Sequence, residues 1–163
     1  MAARVRRARP RDAAAIARMA NALNRHEGLS PNAFTPAVVR RDAFGPRAAF
    51  RAFVAEADGR VAGYASFLGG YNSDLAIPEL WMLDLFVVPA KRGRGLGRAL
   101  VRAVARETVR RRLTCLEWGV RGDNTRARRF YRGLGARIGH TRIASLMGRP
   151  LVTLARSRWR AVP

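Results

Sequence analysis

Four apolar residues near the start of the chain lie three or four positions apart: Ile16, Met19, Ala20 and Leu23. This spacing is typical of one buried helix face, and Asp12 before it is a residue type that caps helix N-termini. We therefore predict a first helix after Asp12, preceded by a short strand over residues 4–7. The same Arg- and Ala-rich start also resembles a transit peptide, but its pattern runs on without a break, which favours the helix.

Turn and cap residues divide the next part of the chain. A Thr-Pro pair at 35–36 predicts a second helix that ends near Gly45. Two apolar runs flank the Asp-Gly pair at 58–59, which is a strong signal for a β-hairpin. A third long strand is predicted over residues 80–88, where Pro89 stops it.

The C-terminal half alternates helices and strands. A helix is predicted from Gly95 to Arg112, a strand over 115–120, and a short helix from Asp123 or Asn124 to Leu134 with Gly135 as its stop. The remainder, to about residue 157, is predicted to hold two more extended segments. This order of elements indicates an α/β fold with a mixed sheet covered by helices.

Length and composition narrow the class of protein. The 163 residues suit one domain over 1–163, and the hydrophobic fraction of 48% argues against disorder. No apolar run approaches the ~18 residues of a membrane helix. The single cysteine, Cys115, and two distant histidines predict neither a disulfide nor a metal site. We expect a cytoplasmic protein.

The formal net charge is +21, and Lys91 is the only lysine among 32 basic residues. Such a charge attracts phosphates, nucleotides, nucleic acid or acidic membranes. A compositional preference for arginine and alanine across the genome explains the same number equally well. Both explanations stay open, because the arginines are spread along the chain.

The stretch KRGRGLGRAL at 91–100 places glycines between a predicted strand and a predicted helix. Helix N-termini expose unpaired N–H groups and partial positive charge, and glycines let the backbone approach an anion. The stretch therefore predicts a phosphate cradle in which Arg92 and Arg94 add charge-assisted hydrogen bonds. It lacks the Gly-Lys-Ser/Thr ending of a P-loop and the spacing of a dinucleotide fold. A plain connecting turn is the alternative.

Two motifs together resemble the Gcn5-related N-acetyltransferase (GNAT) superfamily. The first is R-x-x-G-x-G after a strand, matched by Arg92, Gly95 and Gly97. The second is N-x-x-A-x-x-F-Y-x-x-L-G, whose matching residues are Asn124, Ala127, Phe130, Tyr131, Leu134 and Gly135. Further segments up to about residue 136 resemble the diamine and polyamine acetyltransferase branch. That branch has a Glu-Asp pair in the central strand, whereas this chain has Leu83 followed by Asp84.

The resemblance implies a mixed, mostly antiparallel sheet of about six to seven strands flanked by four helices, with a V-shaped cleft between the central strands. It implies acetyl-CoA as co-substrate and no metal. The implied coenzyme contacts are Leu85, Phe86, Val87, Arg92, Gly93, Arg94, Gly95, Leu96, Gly97, Arg98, Asn124, Ala127 and Tyr131. Asn124 has two interpretations, helix cap or coenzyme contact, and one does not exclude the other.

The implied reaction moves an acetyl group directly from acetyl-CoA to a primary amine. Asp84 is the first candidate for the general base, with Glu27 and Glu79 behind it, and Tyr131 matches the tyrosine that protonates the departing thiolate. An ordinary strand carboxylate paired with arginine is the alternative for Asp84, and a core aromatic is the alternative for Tyr131. His26, Glu27 and Asp84 are expected to contact the acceptor.

The acceptor is expected to be a polyamine, a diamine or an amino-acid-like amine. Because +21 repels a polycation, an amino acid, an amine bearing an anionic group or a peptide terminus fits the charge more easily. Alternatives are acetylation of a protein or peptide amine, and a coenzyme-binding or nucleic-acid-associated module without activity. The sequence offers little support for nucleic-acid binding, although four arginines form a stripe at four-residue spacing: Arg98, Arg102, Arg106 and Arg110. A homodimer is expected by resemblance, and no membrane association.

Overall fold

The computed structural model describes residues 4–139 and 148–156. The chain divides into two compact units, Met1–Arg121 and Gly122–Pro163. The prediction of one domain over 1–163 stays a prediction. In the described ranges, no helix is both long and apolar enough to span a bilayer.

The first unit is built on a sheet whose strands follow one another in chain order. The strands are β1 (Arg4–Arg7), β2 (Arg51–Ala57), β3 (Arg60–Asn72), β4 (Ile77–Val87) and β5 (Leu116–Trp118). The first three neighbouring pairs are antiparallel, and β4 pairs with β5 in parallel. The sheet is therefore mixed and mostly antiparallel, as predicted, with five strands in the described residues rather than six or seven.

Helices α1 (Ala13–His26) and α2 (Pro36–Ala43) cover one face of this sheet. Their apolar residues form a core with Val54, Tyr64 and Phe86. Helix α3 (Leu96–Arg110) covers the other face, because strand side chains alternate and the Cα–Cβ direction of Gly63, next to Tyr64, points at Leu100. A Cβ on Gly63 would lie 2.8 Å from the Phe86 carbonyl oxygen, so glycine is required there.

Local signals place most of these elements as the sequence predicts. The Thr35 hydroxyl accepts a hydrogen bond from Val38 N at 3.2 Å, and Pro36 opens α2. Asp58 and Gly59 turn the β2–β3 hairpin with φ of 51° and 74°. Asp12 lies at the N-cap position of α1, but its side chain makes no cap bond and instead pairs with Arg6 at 2.7 Å.

The second unit contains α4 (Thr125–Arg132) and α5 (Gly148–Arg156). Gly135 adopts φ of 88° just beyond α4, in keeping with its predicted role as a stop. The prediction of extended structure near the C-terminus is wrong for residues 148–156, which are helical, so the described residues hold five α-helices rather than four. Every residue whose burial is described in this segment is exposed, so its apolar side chains lack the burial that favours a strand. Residues 140–147 and 157, the rest of that prediction, lie outside the described residues.

Candidate active site

Two glycines in the loop between β4 and α3 leave its main chain open to a ligand. Gly93 and Gly95 have φ of 75° and 78°, in the left-handed region that favours glycine. A Cβ built on either would meet no atom within 4 Å apart from its chain neighbours. The first hydrogen bond of α3 runs from Ala99 N to Gly95 O, so the amides of Leu96 and Gly97 precede the helical ladder. This is the geometry that an anion cradle requires.

The side chains of the loop differ from one another in direction. Arg92 folds back onto the end of β4, where its Nε donates to Val87 O at 2.9 Å and its guanidinium lies 5.6 Å from the Phe86 ring centre. Arg94 and Arg98 are exposed. Leu96 is buried, so only its main chain is available to a ligand.

Strand β4 carries a bulge in front of the loop. Its partners in β3 step from Ser66 opposite Asp84 to Phe67 opposite Met82, which leaves Leu83 as an extra residue. Pairing with β5 covers only Leu80 to Met82. Beyond the bulge, residues 84–87 pair with β3 on one side, and no described strand pairs with their other edge. Leu85, Phe86 and Val87 thus lie on an edge that an extended ligand can join.

Asp84 lies directly after this bulge and is held by two hydroxyl groups. Its Oδ2 accepts hydrogen bonds from Ser66 Oγ at 2.8 Å and from Tyr64 OH at 3.1 Å. Salt bridges in the described residues engage five other carboxylates: Asp12, Asp42, Glu56, Asp58 and Glu107. Within the described residues Asp84 therefore has no basic partner, and the alternative of an arginine-paired strand carboxylate does not fit this part of the chain.

Tyr64 stays a neutral donor to Asp84. The side chain is 1% exposed. Burial, together with the charge of Asp84 and its hydrogen bond, raises the pKa of the Tyr64 hydroxyl far above its usual range. The phenol therefore keeps its proton at every physiological pH and holds the Asp84 carboxylate in place.

The end of α1 brings a second carboxylate to this region. Glu27 follows the last helical residue and is half-buried, and its charge contributes to the raised pKa of Tyr64. Arg121 donates to the Glu27 main-chain oxygen at 3.3 Å. His26 is exposed. Glu27 and Asp84 are two of the three predicted acceptor contacts, and both contribute to the raised pKa of Tyr64.

Glu79, the other predicted candidate for the base, belongs to a separate cluster. It is buried, and its Oε2 accepts from Asn72 Nδ2 and from the Cys115 thiol, both at 3.4 Å. Asn72 also donates to Glu117 at 2.9 Å. The potential ligand atoms of Glu79, Cys115 and Glu117 lie within 4.8 Å of one another, a proximity that no sequence pattern predicts. Burial, then the bond to Glu79, raises the pKa of the Cys115 thiol to about 11.

In the second unit, Asn124 caps α4. Its Oδ1 accepts from Ala127 N at 3.0 Å, so the Ala127 amide is engaged inside the helix. Tyr131 is buried, and its ring lies 5.2 Å from that of Phe130 in a tilted arrangement. The cap interpretation of Asn124 is therefore confirmed, and the role of Tyr131 stays a prediction.

The sequence reasoning missed Tyr64 and Ser66. Alternation in GYASF already places these two residues on one face of β3. What it leaves undetermined is the register that sets Ser66 opposite Asp84 and brings the Tyr64 hydroxyl within reach of the same carboxylate, because register depends on the bulge.

The sequence profile of the acetyltransferase (GNAT) family matches residues 18–136. The chain belongs to this family and is an acyltransferase. The resemblance drawn from the two motifs is thereby confirmed.

Among curated proteins, thialysine N-epsilon-acetyltransferase of Mus musculus is 32% identical over 148 residues, covering 82% of this chain and 83% of that protein. L-ornithine N5-acetyltransferase of Arabidopsis thaliana is 35% identical over 78 residues, which span 48% of this chain but only 34% of that enzyme. Both are relatives of the diamine type that the sequence resembles.

Solved structures show the same fold. An integron cassette protein from the mobile metagenome of V. cholerae superposes with a TM-score of 0.79 at 21% identity, covering 96% of this chain and 99% of that one. An aminoglycoside acetyltransferase from a soil metagenomic sample, in complex with trehalose, gives 0.72 at 14% identity, covering 90% and 97%.

Proposed function

We propose that this enzyme transfers an acetyl group from acetyl-CoA to the primary amine of a small cationic acceptor, either a diamine or an amino acid with an amine in its side chain. The observation that carries the proposal is the Asp84 carboxylate, which is bound by Tyr64 and Ser66 and has no basic partner in the described part of an otherwise arginine-rich chain. The printed activities of the thialysine and ornithine relatives support an acceptor of this class.

The residues of the first unit fit acetyl-CoA. The open backbone at Gly93 and Gly95 and the exposed Arg94 and Arg98 suit its phosphates. The free edge of β4 beyond Leu83 suits the amides of its pantetheine arm. When bound, the coenzyme supplies the acetyl group as a reactive thioester.

Proton transfer is the part that this chain's own side chains perform. An amine of pKa near 10.4 is protonated at pH 7, and its neutral form costs about 4.6 kcal/mol. Asp84 orients the ammonium group and accepts its proton, directly or through water, while Tyr64 and Ser66 hold the carboxylate. Tyr131 holds the proton for the departing thiol, and an N–H of β4 near Phe86 stabilises the oxyanion.

The test is release of CoA across a panel of amines that includes thialysine, ornithine, putrescine and a peptide N-terminus, with the product identified by mass spectrometry. Asp84→Asn should lower kcat/KM by about 10²–10⁴-fold, because it removes the proton acceptor but keeps the shape. Asp74→Asn is the matched control, since Asp74 is an exposed loop carboxylate. Full activity of Asp84→Asn, or turnover of the peptide alone, would contradict the proposal.

The predicted homodimer and cytoplasmic location are also proposals, supported by the family resemblance. Light scattering coupled to size exclusion tests the dimer. A mass of one chain, set against 18.0 kDa, would contradict it.

A further inference from the structure

Helix α3 and the edge strand β1 line a groove that contains none of the residues assigned to acetyl transfer. The groove has a volume of about 530 Å³, and its rim carries four arginines: Arg7, Arg102, Arg106 and Arg110. We propose that this groove binds single-stranded nucleic acid, with the arginines on the phosphates and Phe53 under a base. The proposal does not depend on the proposed acetyl transfer.

The charge of the groove is largely uncompensated. Arg102 and Arg106 are exposed, and neither forms an ion pair or hydrogen bond within the described residues. Arg7 and Arg110 share a single buried carboxylate, Glu107, each at 2.7 Å, and both side chains stay more than half exposed. Four guanidinium groups thus face one carboxylate, which leaves a strongly positive surface for a polyanion.

The arginines on α3 are regularly spaced. Residues four apart on a helix lie on one face and are separated by about 6 Å along its axis. Arg102, Arg106 and Arg110 therefore form a straight row of charges, suited to a ligand whose negative charges also recur along a line. Successive phosphates of a single strand are such a ligand, and arginine binds phosphate oxygens in a two-pronged manner.

The floor of the groove is apolar and includes an aromatic ring. It is formed by Val5, Phe53, Ala99 and Ala103. Phe53 is half-buried and stacks on Phe67, whose ring lies 5.5 Å away at an angle of 18°. Along the sequence, no aromatic residue alternates with the arginines of α3, but the fold places one among them. A positive groove with an aromatic floor is typical of single-strand binding, whereas an acidic peptide gains nothing specific from the ring.

The test measures fluorescence anisotropy of a labelled oligothymidylate of about 12 nucleotides between about 50 and 200 mM salt. Arg102→Gln/Arg106→Gln should weaken binding about tenfold and make the slope of log K against log salt shallower by about 1.4, since two phosphate contacts are lost. The matched control is Arg18→Gln/Arg40→Gln, which removes the same charge from exposed positions of α1 and α2. It should leave the slope unchanged.

A second pair of variants tests the ring. Phe53→Tyr should bind like the parent, and Phe53→Leu should bind more weakly, with thermal melting to verify that each is folded. Three results would overturn the proposal: no binding at low salt, equal losses in the groove and control variants, or competition by poly-glutamate as strong as by unlabelled oligothymidylate. The last result would identify an acidic polypeptide as the occupant.

Discussion

Asp84 differs from the five salt-bridged carboxylates of the described residues in what surrounds it. Where salt bridges neutralise Asp12 or Glu107, Asp84 receives hydrogen bonds from two neutral hydroxyls. A hydroxyl satisfies the lone pairs of a carboxylate without cancelling its charge. The Asp84 carboxylate is therefore available to bind a cationic ligand.

Tyr131 offers a prediction at the same scale. Tyr131→Phe removes the hydroxyl proton but keeps the ring that packs on Phe130, so kcat should fall by about 10²–10⁴-fold while acetyl-CoA binding stays nearly unchanged. Stopped assays and calorimetry measure the two quantities. Tyr71→Phe, at an exposed tyrosine, is the control. Unchanged turnover in Tyr131→Phe would exclude this residue from the mechanism.

Cys115 provides a pH-dependent prediction. With its pKa raised to about 11, the folded thiol should react with iodoacetamide at pH 8 about 100-fold more slowly than an ordinary cysteine. The rate should rise about tenfold per pH unit up to pH 10, because only the thiolate reacts. Glu79→Gln should restore part of the reactivity, since burial is the larger cause. Rapid alkylation at pH 8 without unfolding would contradict the raised pKa of the Cys115 thiol.

At the scale of elements, the bulge in β4 matters most. Without an extra residue, Glu79 and Asp84 would face opposite sides of the sheet, because an odd separation along a strand reverses the face. Leu83 is that extra residue, and it turns Asp84 to the face that carries Glu79. The same bulge lies next to the point where β4 and β5 stop pairing, so one irregularity opens the edge and orients the carboxylate.

Glu107 ties helix α3 to Arg7 of strand β1 and to two arginines at the end of the helix itself, which yields a stability prediction. Hydrogen bonds from Arg110, stronger than the opposing effect of burial, and then from Arg111 hold the pKa of Glu107 at about 2. Because this pKa is depressed, the stabilisation is present above about pH 4.5 and is lost as pH falls towards 2. Glu107→Gln should cost about 1–3 kcal/mol near pH 7.

The measurement is thermal melting of both proteins between pH 7 and about pH 2. The parent should lose more stability than Glu107→Gln over the acid range. The pKa of Asp12 is also lowered, so both proteins should share a further loss of stability as the pH falls. Parallel curves for the two proteins would show that Glu107 does not depend on its arginines. Asp74→Asn should behave like the parent.

At the scale of the whole molecule, opposite charges are unevenly distributed. The chain has a net charge of +21, yet one sheet face of its first unit carries Glu79, Asp84 and Glu117, and the described salt bridges use none of the three. The long-range field therefore attracts anions, whereas the short-range field along β4 favours a cation.

The two proposed substrates should consequently respond to salt in opposite directions. Raising the ionic strength from about 50 to 200 mM screens the long-range field, so KM for a cationic acceptor should fall while the Kd of acetyl-CoA rises. Initial rates and calorimetry at matched pH measure both. An acceptor without net charge should show little change. If KM for the cationic acceptor rose with salt, the carboxylates near β4 would outweigh the global charge.

The sequence by itself determined the features that depend on neighbouring residues. Capping by Thr35 and Asn124, the hairpin at 58–59 and the glycine loop before α3 are each decided within a few positions, so local patterns predict them. The family motifs are equally local. The C-terminal segment at 148–156 is the exception, because its propensities did not decide between helix and strand.

Only the tertiary structure decided which distant side chains meet. The two hydroxyls on Asp84 come from residues 18 and 20 positions away, and Cys115 meets Glu79 across 36 positions. Phe53 likewise lies among arginines that are distant in sequence, so these contacts depend on strand register and helix docking. One inserted residue at Leu83 changes that register. The physical reason is that turn and cap energies act over a few bonds, whereas register is set by the packing of the whole sheet.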